Sequence, residues 1–191
     1  MDGHNNLNIS YHPLSDIKHD EVKEPQLLKR QSIRILTYNI FIRPPLIKNN
    51  EDDWKDERLN DFIKEMHNYD IICLQEMFSS FSFRKMKLIS EAVKLGFFYY
   101  VESDSPSVTS MCLVDGGLII LSRFPIVNYC YSNYSGGVMV DQFVDKGVLY
   151  AQIRVKDSIL HLFNTHLQAS YTYSDDYEWV YFINLGCVLC L

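Results

Sequence analysis

Polar residues stand at the ends of three short, apolar, β-rich segments of the sequence. The first segment ends near Asn39, the second at Glu76 and the third at His166. Because ligands collect where the ends of several strands converge, these three side chains could form one site. A carboxylate there could bind a cation, and an imidazole could transfer a proton or stabilise charge on a phosphate.

Glu76 is the most informative of these residues because it directly follows the apolar run 71–75. An unpaired carboxylate at the rim of a buried sheet is unfavourable. Mg²⁺ would remove that cost, since it accepts one or two carboxylates together with water and substrate phosphate, and Asn39 could supply a neutral oxygen beside it. The alternative is that Glu76 caps a helix or loop and Asn39 occupies a turn. These residues alone slightly favour that alternative.

Further charged residues precede the later strands. Asp115 begins an Asp-Gly-Gly sequence, whose glycines permit positive φ or close approach of the backbone to a ligand. Asp141 and Lys146 precede the next strand, and a lysine there could bind a phosphate. An ordinary turn and a solvated loop are the plainer alternatives. His161 alternates with leucines inside its strand, so it is predicted to be structural or exposed, and His166 is the better candidate for proton transfer.

The elements that position these residues follow the order β-α-β-α-β and then several strands. Helices are predicted over 54–66 and 83–95, and strands over 33–40, 69–76, 97–101, 118–121, 127–134, 147–155 and 159–165. Asp52 or Asp53 is expected to cap the first helix, on whose apolar face Trp54 is placed. Met86 is expected to point inward from the second, which Gly96 should end. This order predicts a layered α/β fold with helices outside a sheet.

Composition restricts the protein class. The 191 residues, 47% of them apolar, suffice for one domain with a packed core, and this composition argues against a chain that is disordered from end to end. A net charge of −6 gives no long-range attraction for nucleic acid. The five cysteines are irregularly spaced, which favours a reducing compartment. With no signal peptide or membrane-spanning run apparent, we expect an intracellular protein, cytoplasmic or peripheral on a membrane.

Taken together, the motifs resemble the endonuclease/exonuclease/phosphatase superfamily, and most closely its neutral sphingomyelinase branch. The matching blocks are Leu36–Ile40, Leu74–Phe78, Asp115–Ile126, Asp145–Val148 and Asn164–Gln168. They occur in family order. The Asp-Gly-Gly through Phe-Pro-Ile block, followed by Lys-Gly downstream, points to the sphingomyelinase branch specifically.

The resemblance implies a four-layer αββα sandwich and Mg²⁺-dependent phosphodiester hydrolysis, with Mn²⁺ as the alternative cation. Glu76 corresponds to the family's metal ligand. Asn39 corresponds to the asparagine beside the metal and the scissile phosphate. His166 corresponds to the first catalytic histidine, which stabilises the phosphorane-like transition state.

For the substrate, the resemblance implies sphingomyelin, cleaved to ceramide and phosphocholine at a peripheral membrane surface. Asp115 and Lys146 fall on positions that line the family's substrate cleft, and Asp141 is assigned to the same group. The alternatives are a nuclease or a phosphoinositide phosphatase of the same superfamily, and a non-catalytic lipid- or protein-binding fragment. The acidic net charge and the Asp-Gly-Gly block argue against a nuclease.

The family pattern breaks after His166. The family carries an Asp-x-Asn pair and then an Asp-His pair whose histidine is the usual general base, and neither follows here. We therefore expect a flexible leader over 1–32, a family domain over 33–176 that is incomplete at its C-terminus, and a divergent apolar tail over 177–191. The absent pair leaves the general base unidentified and predicts little hydrolase activity for the isolated chain.

Overall fold

The computed structural model describes residues 32–44, 53–79, 82–104, 115–134 and 146–167, together with the backbone of 187–190. The strands are β1 (Ile35–Ile42), β2 (Ile71–Met77), β3 (Tyr99–Glu102), β4 (Ile119–Ser122), β5 (Ile126–Asn133), β6 (Gly147–Val155), β7 (Ser158–Thr165) and β8 (Cys187–Cys190). The helices are α1 (Lys55–Glu65), a single 3₁₀ turn (Met66–Asn68) and α2 (Arg84–Lys94). The predicted order of elements is confirmed.

The strands form two four-stranded sheets. The first has the order β1-β2-β4-β3, in which β1 and β2 are parallel and the other pairs antiparallel. The second has the order β5-β6-β7-β8 and is antiparallel throughout. Both α1 and α2 contribute to the core on one face of the first sheet. The described residues thus form a helix layer and two sheets of the predicted sandwich.

Strand β2 is buried along its whole length because it has a packed layer on each side. Ile72 and Leu74 belong to the core beneath the helices. Their neighbours Cys73 and Gln75 alternate to the opposite face, where Gln75 reaches the second sheet. Burial on both faces explains why this strand reads as a continuous apolar run.

The beginning of α1 differs from the prediction. Trp54 occupies the N-cap position in a left-handed conformation, with φ of 41°, and its side chain is 61% exposed. Asp53 does not cap the helix, because its carboxylate pairs with Lys55 Nζ at 2.5 Å. The prediction of an Asp53 cap and of Trp54 on the apolar face was therefore wrong, and Asp52 lies outside the described residues.

The buried face of α2 also differs from the prediction. Met86 is 66% exposed, whereas Leu88 and Ala92 are buried. Lys85 is buried on the same helix because its ammonium has anionic partners inside the fold, as described below. The prediction that Met86 points inward was wrong. Apolar spacing alone could not show that Lys85, its neighbour, lies on the buried face of the helix. Gly96 follows the helix with φ of +91°, as expected of a glycine at the C′ position.

The exposed ion pair between Asp56 and Arg84 connects α1 to α2. Arg84 donates to both carboxylate oxygens, at 2.7 and 2.8 Å, and this hydrogen bonding and charge hold the pKa of Asp56 below its usual value. A carboxyl whose pKa is lowered by folding stabilises the protein above its unfolded pKa, and loses that effect as pH falls through its folded pKa.

We expect Asp56→Asn to lower the free energy of unfolding at pH 7 by no more than about 1 kcal/mol, since the pair is largely exposed. The difference from wild type should shrink as the pH falls below about 3.9, the ordinary aspartate pKa. Urea unfolding at several pH values measures this. Asp61→Asn, which removes an exposed pair within α1, is the matched control. A difference that persists at the lowest pH would contradict the prediction.

None of the helices in the described part of the chain is long and apolar enough to cross a lipid bilayer.

Candidate active site

An irregularity between β1 and β2 determines where Glu76 points. Asn39 pairs with Gln75, but the next pair along is Ile42 with Met77, so two residues of β1 stand opposite Glu76. Glu76 itself has φ of 55°, which is uncommon for a residue with a side chain. Met77 consequently takes the helix-side core position that alternation would assign to Glu76. The carboxylate is turned instead toward Asn39.

The Glu76 carboxylate is 9% exposed and has hydrogen bonds to both oxygens. Asn39 Nδ2 donates to Oε1 at 2.7 Å, and Arg43 Nε donates to Oε2 at 2.9 Å. The Asn39 Oδ1 atom accepts the Phe41 N–H at 3.0 Å, which fixes the orientation of the amide. Asn39 therefore orients Glu76 through its NH₂ group. Its predicted role as a metal ligand stays a prediction.

His166 approaches the same carboxylate from the second sheet. It directly follows β7, and its Nε2 lies 3.6 Å from Glu76 Oε1. The structure thus brings together the Asn39 amide, the Glu76 carboxylate and the His166 imidazole. The predicted strand ends were wrong for the first two, because β1 continues to Ile42 and β2 to Met77. An imidazolium here would form an ion pair with Glu76, and a neutral ring could accept or donate a proton.

A buried amide pair connects the two sheets directly below these residues. Gln75 Nε2 donates to Asn164 Oδ1 at 2.7 Å, and Asn164 Nδ2 donates to the carbonyls of Leu74 and Ile119. Asn164 is fully buried, so these bonds satisfy polar groups that water cannot reach. Gln75 precedes Glu76, and Asn164 lies two residues before His166. The pair therefore fixes the spacing of the two chemical groups.

Asp115, predicted to bind substrate, lies in a buried ion cluster in this structure. Its side chain is 2% exposed. Its carboxylate forms an ion pair with Lys85 Nζ at 2.6 Å and accepts a hydrogen bond from the Ser79 N–H at 3.2 Å. Lys85 also pairs with Glu102 at 3.0 Å. These contacts connect the segment before β4 to α2 and to the segment after Glu76. The substrate-binding role of Asp115 remains a prediction.

Gly117 packs closely against the segment that follows Glu76. Its carbonyl accepts the Met77 N–H at 2.9 Å, and its φ is +66°. A β-carbon built at this position would lie 2.8 Å from the Phe78 ring. The glycine is therefore required both by its conformation and by the close contact, which accounts for one glycine of the Asp-Gly-Gly sequence.

Lys146 lies at the start of β6, close in space to the segment after His166. Its Nζ donates to the Leu167 carbonyl at 3.3 Å. This places the lysine beside the end of β7, and its predicted contact with a phosphate stays a prediction. Asp141 lies outside the described residues. His161, predicted to be structural or exposed, contacts the Tyr150 hydroxyl through Nδ1 at 2.6 Å and lies within β7.

The residues present fit a divalent cation bound through one carboxylate. Each oxygen of Glu76 accepts one hydrogen bond and so keeps further lone-pair capacity, and Mg²⁺ commonly binds one or two carboxylates with water and phosphate completing its shell. Within the described ranges there is no cluster of three or more His, Cys, Asp or Glu side chains that could hold a metal. Glu76 is therefore the anionic ligand that these residues offer.

Three residues of the site were not singled out from the sequence. Arg43 directly follows the first strand and was given no role in the site. Its charge, close to a strand that carries a candidate residue, was the available signal. Gln75 and Asn164 stand inside the family-like blocks but were given no role. Their adjacency to Glu76 and His166 was the available signal.

Comparison with known proteins decides the family. The model of the endonuclease/exonuclease/phosphatase family matches residues 36–186, which is most of the chain. The chain belongs to the endonuclease/exonuclease/phosphatase family. A relative in the sphingomyelinase-like branch of this family is a sphingomyelinase of Dictyostelium discoideum, 32% identical over 76% of this chain and 53% of the relative. The predicted family and branch are confirmed.

Solved structures show the family fold. The crystal structure of SmcL has a TM-score of 0.63 and 20% identity, covering 75% of this chain and 51% of that one. A mutant beta toxin of Staphylococcus aureus, solved with bound magnesium ions, has a TM-score of 0.61 and 23% identity, covering 72% of this chain and 50% of that one. The predicted sandwich fold is confirmed, and this family member spans about half the length of these relatives.

Proposed function

We propose that this chain carries the cation-binding and charge-stabilising part of a phosphodiesterase of the sphingomyelinase type, which cleaves sphingomyelin to ceramide and phosphocholine. The observation that supports the proposal most directly is the convergence of Asn39 in β1, Glu76 in β2 and His166 after β7, in a chain whose family includes sphingomyelinases. The substrate would be met at a membrane surface.

Glu76 would hold the cation, Mg²⁺ or alternatively Mn²⁺. When bound, the cation would polarise the phosphate oxygens and offset the negative charge that develops in the transition state. Asn39 holds Oε1 in place, and the buried Gln75–Asn164 pair keeps Glu76 at a fixed distance from the second sheet. A fixed arrangement of this kind stabilises charge without reorganisation during the reaction.

His166 would act on the phosphate. Its Nε2 lies on the Glu76 side of the site, so a protonated ring could donate a hydrogen bond to a phosphate oxygen beside the carboxylate. Lys146, which lies beside the end of β7, and Asp141 are the proposed substrate contacts. Asp115 holds the segment before β4 against α2 and Ser79. The group that activates water is not assigned to a residue of this chain.

A panel of phosphodiester substrates tests the proposal. Sphingomyelin in mixed micelles, a phosphoinositide and DNA with an abasic site are incubated with the protein in Mg²⁺, in Mn²⁺ and in EDTA. Because no residue of this chain is assigned as the general base, we expect slow but cation-dependent release of phosphocholine from sphingomyelin, exceeding turnover of the other two substrates at least tenfold, and its loss in EDTA. Preferred hydrolysis of the phosphoinositide or of DNA would overturn the head-group assignment. Undiminished turnover in EDTA would overturn the cation requirement, and no turnover of any substrate would overturn catalysis by this chain.

A further inference from the structure

The Arg43 side chain makes two contacts, a hydrogen bond to the Glu76 carboxylate and a cation–π contact with the Phe41 ring. Its Nε donates to Oε2 at 2.9 Å, and its guanidinium carbon lies 4.2 Å from the centre of the Phe41 ring. The Arg43 side chain is 32% exposed, whereas that of Glu76 is 9% exposed. Arg43 thus donates to one of the two carboxylate oxygens and is the more exposed partner of the pair.

The charge of Glu76 needs compensation because the carboxylate is buried. The Asn39 amide is neutral, and His166 contributes charge only when it is protonated. An arginine side chain carries a positive charge at neutral pH, and the contact of Arg43 through Nε is short. Among the described residues that contact Glu76, Arg43 is therefore the one whose positive charge does not depend on protonation of an imidazole.

A divalent cation and the guanidinium would compete for the same group. Both are attracted to Glu76, they repel each other at close range, and Oε2 is already occupied by the Arg43 N–H. Each oxygen of Glu76 keeps lone-pair capacity, so a cation can bind while Arg43 is present, but the repulsion would weaken the Arg43–Glu76 contact. Removal of the guanidinium should make cation binding more favourable, although it leaves the cation-free carboxylate uncompensated.

We propose that Arg43 is the resident counter-ion of Glu76: it neutralises and orients the carboxylate in the cation-free protein, and by competing for Oε2 it sets the affinity for the divalent cation. The inference rests on the proposed cation site at Glu76. Under this proposal Arg43 is a positioning residue, and its removal has opposite effects on the stability of the cation-free protein and on the affinity for the cation. The cation-free fold becomes less stable, while affinity for the cation increases.

The experiment compares wild type with Arg43→Gln, Arg43→Lys and Arg154→Gln, the last removing an exposed arginine on β6. Mg²⁺ affinity is measured by calorimetric titration, and melting temperature is measured in EDTA and in saturating Mg²⁺. We expect Arg43→Gln to bind Mg²⁺ about tenfold more tightly, the effect of roughly one unit charge on a binding constant. It should also melt several degrees lower in EDTA, a deficit that Mg²⁺ reduces. Arg43→Lys, which keeps the charge, should bind within about threefold of wild type.

The outcomes separate this inference from the proposed function. Equal or weaker Mg²⁺ binding by folded Arg43→Gln would overturn the counter-ion role while leaving the cation site in place. An increase as large in Arg43→Lys would show that charge is not the cause. If Arg43→Gln is unfolded in EDTA, refolding on addition of Mg²⁺, followed by circular dichroism, supports the inference, and failure to refold contradicts it. No cation binding by either wild type or Arg43→Gln would overturn the cation site itself, and the inference with it.

Discussion

Replacing Glu76 by Gln is expected to reduce cation-dependent phosphodiester hydrolysis roughly 10²- to 10³-fold, the range found when one group that stabilises transition-state charge is removed. The substitution keeps the shape of the side chain and an oxygen that can accept the Asn39 hydrogen bond, but it removes the anion. Mg²⁺ affinity should fall in parallel, because a neutral amide is a weaker ligand for this cation. Phosphocholine release and calorimetric titration measure the two effects.

The matched control is Glu57→Gln, which makes the same chemical change on the exposed surface of α1. It should leave both hydrolysis and Mg²⁺ affinity within about twofold of wild type, as expected of a surface substitution. Retention of full activity and affinity by Glu76→Gln would overturn the assignment of Glu76. Equal losses in both variants would indicate a general effect of net charge.

Replacing Lys85 by Met is expected to lower the free energy of unfolding by about 3–5 kcal/mol, the usual effect of removing one partner of a buried ion pair. The Lys85 and Asp115 side chains are 5% and 2% exposed, so removal of the ammonium would leave the carboxyl group without this compensation in a buried site. Among the described residues, its further hydrogen-bond partner is the Ser79 N–H at 3.2 Å, a single neutral donor. Urea unfolding gives the magnitude.

Lys87→Met is the control on the same helix. Lys87 is exposed, and within the part of the chain that the structure describes its hydrogen bond is to the Asn60 side chain. It should change the free energy of unfolding by less than about 0.5 kcal/mol. The double variant Lys85→Met/Asp115→Asn removes both charges and should recover part of the loss, which a double-mutant cycle quantifies. A loss in Lys85→Met no larger than that in Lys87→Met would contradict the buried ion pair.

Local patterns were sufficient to predict most elements of this fold. Strand β2 was recognised because burial on both faces produces an uninterrupted apolar run, and the turn after α2 was recognised because Gly96 must adopt positive φ. The errors occurred where a charged or aromatic side chain departs from the apolar period. Met86 and Trp54 fit a helical spacing but are exposed, and the buried Lys85 could not be recognised without its partner Asp115.

The sequence by itself determined which polar residues stand within or directly after the apolar runs, because such a change of residue type is a local feature. It thereby identified Asn39, Glu76 and His166 as candidates, and it led to the correct family. Their catalytic and metal-binding roles remain predictions.

Only the tertiary structure decided how the candidates are oriented and supported. The left-handed backbone at Glu76 and the irregular pairing of β1 with β2 turn the carboxylate to the side of Asn39, against the alternation of the strand. Its counter-ion Arg43 lies 33 residues away in sequence, and the Gln75–Asn164 pair joins residues 89 apart. The first contact arises because β1 and β2 pair within one sheet, and the second because the two sheets pack face to face. No periodicity within a strand records which distant residue will lie opposite.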